Sequence, residues 1–236
     1  MGDKGRNKVK EEEKKINISS DVPRLPREFF TRDGITVAKE LLGKVLVHNT
    51  PHGVIRGIIT EAESYMGEND KGSHTYGGKR TERTEPMYHI GGTSYVYLIY
   101  GMYSCMNVAC MTDGIPQAVL LRSVVPADEE SHKIMTELRL EPLNRRQIRN
   151  NKPVFTEEKL PTSLTKHLAD GPGKMCIAMD ITRADNDMDM VESDSFYFTE
   201  GIAIQEEQIK AGKRIGIDYA EEAADYLWRF YLEECL

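Results

Sequence analysis

Between residues 61 and 107 the chain gathers side chains that can hold a flat ring and move a proton. Glu61-Ala62-Glu63-Ser64-Tyr65 places two carboxylates ahead of an aromatic. His74 follows inside a glycine- and Lys/Arg-rich segment, residues 72–83. Residues 91–103, Gly-Gly-Thr-Ser-Tyr-Val-Tyr-Leu-Ile-Tyr-Gly-Met-Tyr, then lead to Asn107. A stretch that only built a core would use Leu, Ile and Val instead. Alternate residues of a strand share a face, so Glu61 and Glu63 point the same way, roughly 7 Å apart. Burying two like charges together raises the pKa of one of them. The alternative is that both are solvated at a sheet edge. Tyr65-Met66-Gly67 ends the run, and reactive groups commonly sit where a strand gives way to a loop.

The other candidates each carry a plainer alternative. His74 stands alone, and a lone loop histidine can be incidental. No second His or Cys lies at ligand spacing, so no metal is expected. The glycines match neither phosphate-loop nor dinucleotide spacing. Tyr95 and Tyr97 share a strand face, whereas Tyr100 has the opposite parity and directly precedes Gly101. A tyrosine at such a turn suits insertion into a base stack; Tyr95 and Tyr103 read as core. Arg122 interrupts the apolar run of residues 118–125. A buried arginine needs an acid, a phosphate or carbonyls, so both a structural ion pair and a functional role predict an anion close by.

The elements around this window follow from periodicity and turn residues. Residues 1–22 are mostly charged and polar and read as a disordered tail, leaving residues 23–236 as a single domain. Ile35, Ala38, Leu41 and Leu42 fall at helical spacing and stop at Gly43. Residues 44–48 and 54–60 read as strands joined by Asn49-Thr50-Pro51-His52-Gly53, the second running on into Glu61 and Glu63. Residues 94–100 and 108–111 are further strands, and residues 118–125 are apolar on both faces, as an interior strand would be. Residues 129–140 predict a helix, with Pro142 and Pro153 marking a long surface connection. A short helix over 175–179, strands at 196–198, 202–204 and 214–217, and an aromatic edge at 226–231 complete the reading. The fold class is α+β: one domain around an antiparallel sheet.

The composition, 39% hydrophobic and 29% charged over 236 residues, is that of a globular protein with a core. No apolar run is long enough for a membrane span, and the start carries no signal-peptide core. A cytosolic protein is expected, or a nuclear one if eukaryotic. Cys105, Cys110, Cys176 and Cys235 are few and irregular, which favours free thiols. The net charge of −7 argues against a nucleic-acid partner at face value. Phosphate binding depends on local surface, however, and residues 71–83 and 139–152 are both basic segments. The alternative is two solvated loops.

These residues together resemble the alkyladenine (3-methyladenine) DNA glycosylase family. The resemblance covers nearly the whole ordered chain. It runs through Phe29-Phe30, Ala38-Lys39-Glu40-Leu41-Leu42-Gly43, Thr60 to Tyr65, His74 before Gly77-Gly78, Tyr95 to Tyr103 with Asn107, and Val119 to Arg122. It continues in Asp170-Gly171-Pro172-Gly173-Lys174-Met175-Cys176 and Arg214-Ile215-Gly216. The resemblance implies a curved antiparallel sheet in a single α+β domain, no metal or organic cofactor, and a monomer acting on duplex DNA that contains damaged purines. It implies that Glu63 activates the attacking water and that Arg122 lies near that water and the nucleotide backbone. Tyr65, His74 and Tyr97 would line the flipped base, Asn107 would disfavour the 2-amino group of guanine, and Tyr100 would fill the gap left in the duplex. No lysine stands at a matching pocket position to form a Schiff base, so a monofunctional enzyme leaving an abasic site is expected. In a prokaryote it would be cytoplasmic and nucleoid-associated. The insertion-like stretch 145–167 and the tail fall outside the resemblance. Two rivals stay open: a catalytically silent lesion-binding domain on the same scaffold, and a hydrolase of free nucleosides or nucleotides.

Overall fold

The computed structural model describes residues 22–99, 101–156 and 158–233. Among these, eight strands form one antiparallel sheet, β1 (Val45–Thr50), β2 (Gly53–Tyr65), β3 (Ser94–Ile99), β4 (Tyr103–Cys110), β5 (Gln117–Pro126), β6 (Phe196–Thr199), β7 (Ile209–Gly212) and β8 (Arg229–Leu232). The order is β3-β4-β5-β2-β1-β6, with β8 joining β2 to β7. The expected α+β domain around a curled antiparallel sheet is what the chain forms.

β2 organises the sheet. Its first half pairs with β1 through Ile58, and from Glu61 to Glu63 it pairs with β8 on the same side. Its other side follows β5 from Gly57 to Tyr65, with register shifts at Ile59/Glu61 and Glu61/Ala62. A bulge bends a strand and raises its twist. The sheet therefore turns at Glu61, two residues before Glu63.

The described helices are α1 (Arg27–Phe30), α2 (Gly34–Glu40), α3 (Glu129–Arg149), α4 (Thr162–Lys166) and α5 (Pro172–Ala178), and α2, α3 and α5 cover one face of the sheet. α2 (Gly34–Glu40) is capped by Asp33, whose carboxylate accepts from the Ile35 and Thr36 amides. Its exit turn needs Gly43 at φ +84°, where a Cβ would sit 2.6 Å from the Ile202 carbonyl oxygen. α5 (Pro172–Ala178) contributes Met175, Cys176 and Ala178 to a core shared with Leu41, Leu46, Ile59, Val96, Val108, Val119, Leu121 and Phe198. None of the described helices is long and apolar enough to cross a membrane.

Several expectations are corrected. α3 runs over Glu129–Arg149, straight through Pro142, rather than ending near residue 140. The carbonyl that Pro142 leaves without an amide belongs to half-buried Leu138, where the helix is leaving the core, so solvent can serve it. Residues 202–204 and 214–217 are irregular. The C-terminal pair is β7 with β8 instead, Ile209 opposite Leu232. Tyr103, expected in the core, is 44% exposed at the β3–β4 turn. The tail, apart from Val22, and Tyr100, expected to insert into a base stack, lie outside the described residues.

Candidate active site

Cross-strand partners share a sheet face, and the register assembles the site from it. Tyr95 pairs with Asn107, Asn107 with Leu120, and Leu120 with Glu63. One transverse row across β3, β4, β5 and β2 thus carries Tyr95, Asn107 and Glu63. Two residues along each strand, Tyr97 pairs with Cys105, and Arg122 belongs to the same face by alternation. The residues between them (Ala62, Val96, Met106, Val108, Val119 and Leu121) point the other way, into the core under the helices.

Glu63 is fully buried. Its Oε2 accepts from the Tyr65 hydroxyl at 2.9 Å, its Oε1 accepts from the Ile215 amide at 2.8 Å, and the Arg122 Nη1 lies 3.2 Å from Oε1. Burial raises its pKa above the ordinary carboxylate value, against the pull of Arg122 and the two hydrogen bonds. Arg122 is buried as well, and its Nε donates to Glu61 at 2.9 Å. Glu61 also accepts from Arg229 at 3.1 Å. One guanidinium therefore spans both acids, which confirms their shared side. Both arginines bind Glu61 through its Oε1, and Glu63 Oε2 accepts from the Tyr65 hydroxyl, which leaves that oxygen a free lone pair.

Beside this carboxylate stands an aromatic wall. The His74 Nδ1 and the Tyr95 hydroxyl are 2.9 Å apart. The His74 ring meets Tyr97 edge-on at 4.8 Å, and Tyr95 and Tyr97 tilt against each other at 5.2 Å. Tyr95 is buried against Met87 and Ala118 and backs the wall. Burial, then Arg83 and Lys79, lower the His74 pKa to about 4, so its ring is neutral at physiological pH. The Asn107 amide is buried and donates to the Tyr95 carbonyl at 3.0 Å. The Arg83 guanidinium sits over the Tyr97 ring, 5.0 Å from its centroid.

A second layer fixes the Glu63 partners. The Arg214 side chain is fully buried and forms a two-pronged pair with fully buried Asp70, at 2.5 and 2.7 Å. It also donates to the Ser64 and Ala223 carbonyls, at 3.0 and 3.2 Å. Its guanidinium lies 4.7 Å from the Tyr65 ring and 4.9 Å from Trp228. Arg214 thereby places the next residue, Ile215, where its amide meets Glu63.

The structure brings Glu63, Arg122, Tyr65, His74, Tyr97 and Asn107 onto one side of the sheet, drawn from four strands and one loop. Sequence reasoning missed the Ile215 amide, the Asp70–Arg214 pair and Arg83. Arg214-Ile215-Gly216 stood out as a motif, but only the folded chain shows what it touches.

Fold and site define a class: a one-domain α+β protein that sets a buried carboxylate beside an aromatic wall with a cationic rim. The family model for methylpurine-DNA glycosylase (MPG) matches residues 28–235, and the chain belongs to that family. It is 49% identical over 210 residues to a protein of Clostridium acetobutylicum named "Putative 3-methyladenine DNA glycosylase", covering 89% of this chain and 94% of that one. Proteins of the same name from Clostridium perfringens and Clostridioides difficile are 42% and 43% identical, over 89% of this chain and 96% and 100% of theirs.

Proposed function

We propose that this chain is a monofunctional DNA glycosylase of base excision repair. It removes 3-methyladenine-type alkylated purines, and deaminated ones, flipped out of duplex DNA. Residues 23–236 act as its catalytic domain, as a monomer. The bacterial relatives favour the cytoplasmic, nucleoid-associated setting over the nuclear one.

The carrying observation is Glu63: fully buried, oriented by two hydrogen bonds and an ion pair, and next to Tyr65, Tyr97 and a neutral His74. In this reading a water approaches C1′ of the flipped nucleotide and gives its proton to the free lone pair of Oε2. The C1′–N bond breaks and its electron pair leaves with the purine. The carboxylate also steadies the positive charge that develops on the sugar. An alkylated purine such as 3-methyladenine is cationic before it leaves. Tyrosine faces attract it, and an uncharged His74 does not repel it. Asn107 has its amide group tied to the Tyr95 carbonyl, which supports its role as a fixed wall against the 2-amino group of guanine. Arg122 is already bound to both acids, which supports its role in orienting Glu63. Tyr100 is the side chain we assign to the gap in the duplex.

Incubation of duplexes carrying 3-methyladenine, 7-methylguanine, hypoxanthine or ethenoadenine, followed by alkaline cleavage, tests the reading. Alkali-dependent breaks at the lesion are expected. No breaks with tight lesion binding would favour a silent binder. Breaks before alkali would contradict the monofunctional assignment.

A further inference from the structure

Arg83 contacts the aromatic wall and has no place in the chemistry above. It stands at a border. On one side its guanidinium covers the Tyr97 ring at 5.0 Å. On the other it lines a notch of about 300 Å³ shared with His74, Tyr76, Lys79 and Thr81, where Lys79 stands as a second cation for a phosphate group. Its neighbours are differently engaged: Arg80 pairs with Glu85 at 2.5 Å, and Lys71 with Glu221 and Glu222 at 2.6 and 2.8 Å. Among the described residues no carboxylate lies within ion-pair distance of Arg83.

We infer that Arg83 is a gate on the Tyr97 face that makes the pocket prefer a purine still attached to the DNA backbone over a free one. A ring entering against Tyr97 must displace the guanidinium. A nucleotide in duplex DNA arrives with phosphates, and Arg83 can exchange the tyrosine face for one of them in the adjoining notch. A free base offers no such exchange and meets only the displacement. After excision the same return movement helps to expel the released base. The inference rests on the glycosylase reading and specifies how its site chooses between substrate and product.

The two sides of the exchange carry opposite signs. An exposed cation–π contact corresponds to roughly two- to five-fold in affinity. Arg83→Ala should therefore bind free 3-methyladenine about two- to five-fold tighter than wild type by calorimetry. The same variant should bind lesion duplex more weakly, with the slope of log K against log salt reduced by about one. Arg83→Lys, which keeps the charge but not the planar stack, should retain the salt slope. Arg83 would be a phosphate contact alone if Arg83→Ala weakened duplex binding and left free-base affinity unchanged, and merely structural if both weakened; either result overturns the gate. Absence of base release by the wild-type protein would sink the glycosylase reading separately, and the free-base comparison would still decide the role of Arg83.

Discussion

Asp70→Asn should unfold the support of the Glu63 carboxylate without touching it. Asp70 and Arg214 are both fully buried, and the carboxylate accepts two guanidinium bonds at 2.5 and 2.7 Å. It also accepts from the Met66 and Gly72 amides at 3.0 and 2.9 Å. An asparagine there turns its NH2 toward donors and leaves the Arg214 charge uncompensated between Tyr65 and Trp228. Breaking a buried pair in this way costs about 3–5 kcal/mol. For a domain of this size that is a fall in Tm of roughly 6–20 °C. Arg214→Met should cost less than Asp70→Asn, because two backbone amides still hold the remaining carboxylate and Met fills the slot between the rings. Thermal and urea denaturation of both variants and of the double variant give the magnitudes and their coupling. A Tm within about 2 °C of wild type for Asp70→Asn would refute the claim that this pair holds residues 213–216 in place.

Two pH dependences follow from the site and the core. Burial sets the Glu63 pKa above the usual carboxylate range while Arg122 opposes it. Base release should thus fail below a pH above that range, and Arg122→Gln should move this acid limb of kcat/KM further up; an unmoved limb would detach Arg122 from Glu63. His48 is buried, and burial works against its charge, but Asp185 at 3.5 Å, the Met179 carbonyl at 2.8 Å and Asp180 raise its pKa overall. A raised histidine pKa gives stability that is complete below about 6.5, the ordinary value, and is lost as pH rises through the raised value. His48→Phe should remove that part of the pH slope of unfolding, measured by urea titration between pH 6 and 9, and an identical slope in the variant would contradict the pairing.

Local signals carried much of the fold. The helical spacing before Gly43, the turn between β1 and β2, and the apolar run of β5 each depend on neighbours in sequence, and each formed where expected. The failures share a cause in long-range contact. Arg214 to Ile217 has the composition of a strand, yet Arg214 is drawn inward by Asp70, 144 residues away, and the segment stays irregular. Pro142 reads as a helix stop, but α3 has left the core there and tolerates it. The site divides in the same way. Alternation put Glu61 and Glu63 on one side, and an arginine inside an apolar run predicted an anion beside Arg122. Neither could show that Ile215 closes the cage, because that hydrogen bond spans 152 residues.

Single-turnover base release by Glu63→Gln bears on the carboxylate itself. Glutamine keeps an acceptor for the Ile215 amide and the same volume, so the fold and lesion binding should persist. Removal of the base should slow excision of 3-methyladenine from duplex DNA by roughly a hundred-fold or more. Excision at the wild-type rate by a variant that binds the lesion normally would contradict Glu63 as the group that activates water.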